Sequence, residues 1–335
     1  MYKIIERFIY LGLFLLNMKR KIIKLGQATF VTSLPSKWIR ENNLEKGDYL
    51  EVEEKGNTLS MSTEKKLKKK DITIDLKKLN TRLINTFVQS YYLLGYDQIT
   101  LIHDQQVQEY KTKKKINTNN YLQELINRRF VGVEIIEQSD TKTVIMDLGG
   151  IKEETQKQIF NRLIFLVKIM ANDCYQAIKD SNSETLSTIK HRYNNANRFL
   201  MHYQRIIAKT NHDNPLEKAH TIQLLGYIKE IVGTFRLIAE VGSEYKSFST
   251  KVMEIFNTLN KSLDISLGLC LNFNREKTIE LIQIREKIWQ DIKKEGKKLS
   301  QSDAQLFTEL RVLMFPIYAL MKTNFILDQL KTHPE

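Results

Sequence analysis

Cysteine and proline are both rare in this chain of 335 residues, which contains two Cys and four Pro. Cys174 and Cys270 lie in apolar stretches of helical periodicity, which favours two buried free thiols in a reducing compartment over a disulfide or a metal pair. Beyond residue 150, only Pro215 and Pro316 precede the terminal Pro334. Because proline interrupts helices, this part of the chain is free to form long ones.

Motifs typical of catalysis are also missing. The sequence has no Walker loop and no dinucleotide fingerprint. The pair Gly149-Gly150 is too short to form a phosphate-binding loop, and it comes at the end of the alternating strand and helix pattern. His191 and His202 are spaced to share a helix face, but no Cys or carboxylate completes a zinc set. Cys174 has no local His partner, and no nucleophile elbow surrounds any Ser. We therefore predict a protein that is not an enzyme and has no cofactor.

Hydrophobic runs long enough to cross a membrane are absent from the amino-terminal segment. Residues 8–16 are uninterrupted and apolar, but they fall short of the ~20 residues that span a bilayer. No small-residue cleavage site follows, so a signal peptide is disfavoured. We interpret residues 1–17 as an extension from an upstream start, with an interfacial amphipathic helix as the alternative. The expected location is the cytoplasm, without stable membrane insertion.

Acidic residues are outnumbered by basic ones, 39 to 52, which gives a formal net charge of +13. Such an excess favours anionic partners, either nucleic acid or an acidic membrane surface. Hydrophobic residues make up 42% of the chain, which is enough to build a core, and the length predicts two or three domains.

Short strand and turn signals dominate the first 65 residues. Alternating, β-branched and aromatic residues predict strands at 22–25, 29–34, 49–53 and 58–61. Pro35 ends the second strand, and Ser36 is expected to cap a short helix over 37–42.

This order resembles the AbrB-like (SpoVT/AbrB, swapped-hairpin) DNA-binding domain. The resemblance is carried by Lys24-Leu-Gly26, Val31-Thr-Ser-Leu-Pro35, Leu44-Glu-Lys-Gly-Asp48 and Leu50-Glu-Val52. It implies that two chains interleave their hairpins into one β-barrel that presents basic residues to DNA. A piece of this size has too little core to be stable alone, so a homodimer is expected independently of the family.

Basic and polar side chains around the predicted hairpin are the candidate DNA-binding residues. They are Lys19, Arg20, Lys21, Lys24, Gln27, Thr29, Lys37 and Arg40. Lys and Arg neutralise phosphates, and Arg can also read guanine edges. The alternative for each lysine is a solvated charge with no partner. Phe30 and Trp38 are expected in the barrel core rather than stacked on bases.

The middle of the chain alternates strands and helices. A lysine-rich run at 65–70 is interpreted as a solvated linker, with a DNA clamp as the alternative. The patterns then predict strands at 72–76, 98–103, 131–136 and 143–147, and helices at 80–94 and 120–129. Residues 111–120 are polar and are expected to form a mobile connection. Together these elements predict a small α/β module.

Apolar residues at helical spacing predict six helices in the remainder. Their expected spans are about 159–178, 184–209, 216–245, 251–271, 276–294 and 303–330. Ser302 is expected to cap the last helix, and Pro316 to kink it.

This order of three helices followed by three resembles PhoU, whose family carries two tandem three-helix bundles; residues 161–178 match best. With the first domain, the whole resembles an archaeal AbrB–PhoU fusion that regulates phosphate uptake. The expected fold is multidomain α+β: a swapped-hairpin barrel, a small α/β module and tandem three-helix bundles. The expected domains are 1–17, 18–64, 65–150 and 151–332. The resemblance implies either a DNA-binding regulator or an adaptor for a phosphate transporter subunit or signalling protein.

PhoU relatives often bind metal through carboxylates four residues apart on one helix face. The corresponding positions here hold Tyr193 and Asn197, Arg236 and Glu240, and Arg285 and Trp289. An Arg–Glu pair at this spacing is an ordinary helix-surface ion pair. We therefore predict no metal site, and Glu240 is the best surviving candidate ligand.

Overall fold

A computed structural model of the chain describes residues 19–55, 58–63, 69–149, 153–210, 214–295 and 299–332. The predicted extension at 1–17 lies outside these ranges. The chain divides into two compact units, residues 1–68 and residues 69–335. The fold is mixed α+β and rich in helix, and its described strands form small open sheets.

The described residues of the first unit form two separate hairpins and one short helix. Its elements are β1 (Ile23–Leu25), β2 (Thr29–Val31), α1 (Ser36–Glu41), β3 (Glu51–Lys55) and β4 (Thr58–Ser62). Strand β1 pairs with β2 and β3 pairs with β4, both antiparallel, and the described residues show no closed barrel. The prediction that Ser36 caps the helix was wrong: Ser36 is its first residue, and Pro35 occupies the N-cap without a side-chain hydrogen bond.

An α/β module begins the second unit. Its main elements are β5 (Asp71–Asp75), α2 (Thr81–Leu93), β6 (Gln98–Ile102), α3 (Thr118–Arg129), β9 (Val133–Gln138) and β10 (Lys142–Asp147). The sheet order is β5-β6-β10-β9, with β5 parallel to β6 and the other pairs antiparallel. Both helices contribute to its core, for example through Val88 and Leu122, and Asn80 and Asn117 cap them with side-chain oxygens.

The prediction of a mobile connection at 111–120 was wrong. Strands β7 (Gln106–Gln108) and β8 (Lys115–Asn117) form a hairpin there, and α3 begins directly after it. Val107 is 4% exposed and Ile116 packs against the module core. Two inward apolar side chains therefore order a segment whose composition is otherwise polar.

Six long helices make up the rest of the second unit. They are α4 (Glu153–Lys179), α5 (Ser183–Lys209), α6 (Pro215–Glu244), α7 (Thr250–Leu271), α8 (Arg275–Glu295) and α9 (Gln301–Thr332). Their predicted spans are confirmed to within a few residues, except that α4 begins about a turn and a half earlier. Helix α5 packs on α4 and α6, α7 packs on α8 and α9, and α6 packs on α9, so one hydrophobic cluster runs through all six helices.

Two details of the helical region differ from or complete the predictions. Ser300, not Ser302, caps the last helix, because its Oγ accepts a hydrogen bond from the Asp303 N–H at 3.1 Å. Helix α9 continues through Pro316. Cys174 and Cys270 are both free, as predicted; Cys174 is buried and Cys270 half-buried.

Helix α9 alone, among the described residues, is long and apolar enough to cross a membrane. More than half of its most apolar window is buried against other helices. Its hydrophobicity is therefore accounted for by its position in the core, where helices are apolar on most sides.

A cluster of polar groups joins the α/β module to α5. We call it the Arg205 junction and define it by Arg205, Lys209, Asp147, Asp97 and Tyr92. Arg205 donates to the carbonyl oxygens of Tyr92 at 2.5 Å and Tyr96 at 2.6 Å, and to Asp147 Oδ2 at 2.5 Å. Lys209 Nζ lies 2.7 Å from the same Asp147 oxygen and 2.5 Å from Asp97 Oδ1.

The electrostatics of the junction favour a charged Asp147 beside the cations Arg205 and Lys209. Burial raises the pKa of Asp147, but hydrogen bonds from Lys209, from the Gly149 N–H and from Arg205 outweigh it and hold the pKa below its ordinary value. Burial raises the pKa of Tyr92 to about 12. Asp147 therefore stays ionised at neutral pH, and the module is held to α5 by a charge-assisted hydrogen-bond network.

Candidate nucleic-acid interface

The first hairpin carries three of the candidate DNA-binding residues. Lys24 lies in β1 opposite Phe30, Gln27 lies in the turn, and Thr29 begins β2 opposite Leu25. Gly26 in the turn has φ +80°, a conformation that glycine adopts without strain. Residues directly opposite each other in an antiparallel pair point to the same face, so Lys24 and Phe30 lie on one side of the hairpin. All of these side chains are exposed.

The remaining candidates lie on two other segments. Lys19, Arg20 and Lys21 precede β1 and are exposed. Lys37 and Arg40 lie on α1, three residues apart and therefore neighbours on its surface. Lys37 also approaches Glu41, with 3.8 Å between Nζ and Oε1, in an exposed pair worth at most about 1 kcal/mol. All eight candidates are thus exposed; three lie together on the hairpin and two on α1.

Most of the large apolar side chains in the described part of the first unit are exposed. Exposure is 58% for Ile23, 62% for Leu25, 64% for Phe30 and 56% for Val52. Leu44 is the one buried hydrophobic residue in the described part of this unit. The described part of this unit therefore has almost no core of its own in a single copy.

An apolar groove lies beside the short helix. Trp38 is half-buried and lines it together with Leu34, Pro35, Leu59 and Met61, and the groove has a volume of about 490 Å³. The prediction that Phe30 and Trp38 lie in a core does not hold within one chain, because Phe30 is exposed and Trp38 is only partly covered.

One residue of the lysine-rich run, Lys70, is exposed and also contacts the α/β module. Lys70 Nζ donates to the Leu94 carbonyl at 2.9 Å and lies 4.6 Å from the centre of the Tyr96 ring. Residues 64–68 are outside the described ranges. The contacts of Lys70 lie within the second unit, and the linker and clamp interpretations of the run stay predictions.

The positions compared with a metal motif hold ordinary surface contacts. Arg236 and Glu240 form the predicted ion pair on α6, and the Arg236 guanidinium lies 5.6 Å from the Tyr193 ring centre. Arg285 lies 5.6 Å from the Tyr318 ring centre. Across the described ranges, no group of three or more His, Cys, Asp or Glu residues could hold a metal ion.

Neither a scan against models of known protein families nor a search of curated proteins finds a match for this chain.

Proposed function

We propose that this chain is a cytoplasmic, DNA-binding transcriptional regulator of phosphate uptake. In this proposal two first units form one AbrB-like barrel that binds DNA, and PhoU-like helical bundles act as the sensor or partner region. The observation that carries it is the combination, in the described part of the first unit, of exposed basic side chains with exposed apolar side chains.

A second copy of the chain is the occupant that suits those faces best. Among the described residues, each hairpin has two strands whose outer edges pair with no further strand, and exposed edges readily pair with another strand. Burying one Leu, Ile or Val side chain stabilises a fold by about 1.5–3 kcal/mol, so covering Ile23, Leu25 and Val52 supplies core that the described part of one copy lacks. In a dimer with twofold symmetry, both copies contribute the same apolar residues to the interface.

The candidate basic residues would then occur twice on one dimer. Lys24, Lys37 and Arg40 suit contacts with phosphates, which position a protein on DNA, and Arg40 can also read a guanine edge. Two symmetric copies favour a DNA site with matching twofold symmetry. The assignment to phosphate uptake rests on the resemblance of both regions to AbrB–PhoU fusions.

An electrophoretic mobility shift with the DNA upstream of the protein's own gene tests the proposal. The wild type should bind, and its affinity should fall roughly 1,000-fold between about 50 and 200 mM salt if about six phosphates are contacted. The variant Arg20→Ala/Lys24→Ala/Arg40→Ala should lose the shift. The control Lys111→Ala/Lys190→Ala/Arg311→Ala removes the same charge from exposed positions of the second unit and should retain it. Equal retention by both triple variants would contradict the assigned interface.

A second candidate function is that of a protein–protein adaptor, favoured by an apolar groove on the helical region. Phe315 is 66% exposed and Val312 53% exposed, and with Leu237 and Pro316 they line a groove of about 400 Å³. In this alternative the first unit only dimerises, and the helices bind a phosphate transporter subunit or a signalling protein. Absence of any DNA shift at both salt concentrations, with capture of such a subunit lost in Phe315→Ser, would favour it.

A further inference from the structure

A small cavity of about 180 Å³ lies where the α/β module meets the helical region. Four of its lining residues are cations: Arg128 and Arg129 in the last turn of α3, Arg198 on α5 and Lys229 on α6. Asn194 and Asn197 on α5 also line it. Three separate helices thus bring basic and amide side chains to one place.

No carboxylate lines this cavity. Arg128 approaches Glu124 of its own helix at 3.5 Å, and both side chains are exposed. Arg129, Arg198 and Lys229 form no ion pair among the described residues. Like charges that line one cavity repel one another, and an anion bound between them would offset that repulsion.

Arg198 provides a second, independent observation. Its Nε atom is buried and has no hydrogen-bond partner among the described residues. Buried polar groups in folded proteins are nearly always hydrogen-bonded, so an unpartnered guanidinium N–H indicates a missing acceptor. The helix dipole accounts for Arg128 and Arg129 at the carboxyl end of α3, but not for Arg198 and Lys229, which lie within their helices.

We propose that this cavity binds a small oxyanion, either free phosphate or sulfate or the terminal group of a phosphomonoester. Arginine binds such groups through parallel N–H donors, and lysine and asparagine side chains supply further donors. Pockets for drug-sized ligands measure roughly 300–1,000 Å³, so the volume suits an ion or a single group rather than a large molecule.

Binding would link the module to the helical region. Met201, which lines the cavity, belongs to the hydrophobic core of the module although it lies on α5. Arg205 of the Arg205 junction lies one turn further along the same helix. A ligand held by α3, α5 and α6 together therefore stabilises the joined form of the second unit.

Isothermal titration of the full chain at fixed ionic strength tests the site, with inorganic phosphate, sulfate and AMP in separate arms. We expect saturable binding of one anion per chain. Arg198→Gln should weaken it by about tenfold or more, since it removes a charge-assisted donor pair. Arg311→Gln is the matched control, because Arg311 is exposed on α9, and it should bind as the wild type does. Binding of AMP without phosphate or sulfate would identify a phosphomonoester as the source.

Lys229→Gln is a second cavity variant that should fold as the wild type does, because Lys229 is exposed and its loss leaves the core intact. It should weaken binding several-fold and reduce the rise in thermal midpoint that phosphate produces. The site is overturned if no arm saturates below about 10 mM, or if Arg198→Gln and Lys229→Gln, with native circular dichroism, bind like the wild type. The measurement uses no DNA, so its outcome is independent of the proposed regulatory function.

Discussion

Arg205 is a buried cation with three defined acceptors, and its side chain is 1% exposed. We predict that Arg205→Met destabilises the second unit by about 3–5 kcal/mol, because the change removes the Arg205 donors from the Tyr92 and Tyr96 carbonyls and takes one of two cations from the buried Asp147 carboxylate. Urea unfolding followed by circular dichroism measures the effect. The control Arg311→Met, at an exposed position, should stay within about 0.5 kcal/mol of the wild type.

Arg205→Lys separates charge from geometry at the same position. Lysine keeps the positive charge but cannot direct donors to three acceptors in a planar fork. It should therefore recover only part of the stability lost in Arg205→Met. Full recovery would mean that charge alone holds the junction together.

The lowered pKa of the buried His202 makes the stability of the second unit depend on pH. It is 6% exposed, and burial followed by the Arg205 charge lowers its pKa from the ordinary value. The unfolded chain therefore takes up this proton near pH ~6.5, and the folded chain only at lower pH. Its contribution to folding is fully present above about pH 6.5 and is lost as the pH falls towards the folded pKa.

We accordingly expect the thermal midpoint of the wild type to fall between about pH 7 and pH 5.5, and to fall less in His202→Gln. Differential scanning calorimetry at several pH values makes the comparison. His191→Gln is the control, because His191 is exposed on the same helix and should leave the slope unchanged. A slope in His202→Gln as steep as the wild-type slope would assign the pH dependence to other groups.

At the scale of elements, Gly242 determines how closely α6 approaches its neighbours. A Cβ there would lie 2.5 Å from Ile178 Cγ1 and 2.8 Å from Ile178 Cδ1, both on α4. We predict that Gly242→Ala destabilises the protein by about 1–3 kcal/mol although alanine is the better helix former. Gly226→Ala on the same helix meets no atom within 4 Å and should stabilise by up to about 1 kcal/mol.

A double-mutant cycle with Ile178→Ala tests the cause. Ile178→Ala alone should cost about 2–5 kcal/mol, but it also removes the atoms that a Cβ at position 242 would strike. The double variant should therefore be destabilised by less than the sum of the two single destabilisations. Simple additivity would show that the glycine serves some purpose other than close packing.

The long helices were predictable because their apolar side chains repeat over many turns between clear breaks. Asn214 followed by Pro215 marks the start of α6 in the sequence and in the structure alike. The β7–β8 hairpin was missed because only Val107 and Ile116 face inward, which is too few for a periodic signal. Ser36 was misassigned as a cap by one residue, since Pro35 fits the same position sterically.

The polar clusters of the second unit depend on contacts that no local pattern encodes. Arg205 lies 113 residues from Tyr92 and 58 from Asp147. The cavity cations Arg129, Arg198 and Lys229 come from three helices separated by long stretches of chain. In the sequence each is one basic residue of a basic protein. The candidate DNA-binding residues were easier to select because they cluster within 22 positions, from Lys19 to Arg40.

At the scale of the whole molecule, the two units differ in what they need in order to be stable. The second unit has a continuous core through its six long helices and a separate core in its module. The first has one buried hydrophobic residue, Leu44, among those described. Small domains bury a smaller fraction of their surface than large ones do. The shortage of buried hydrophobic residues therefore occurs in the smaller unit, which has less other burial to stabilise it.

Self-association through the first unit follows from this difference, and substitutions on its two hairpins test it. We predict that the wild type sediments as a dimer and that Leu25→Asp and Val52→Asp each shift it towards the monomer, because an unpaired carboxylate buried in an interface costs several kcal/mol. Analytical ultracentrifugation over a range of concentrations measures the shift. Ile279→Asp places the same charge at an apolar site on α8 that is 49% exposed, and it should remain dimeric. A wild-type monomer would remove the basis for a shared barrel, whereas a dimer that survives both hairpin variants would place self-association in the helical region.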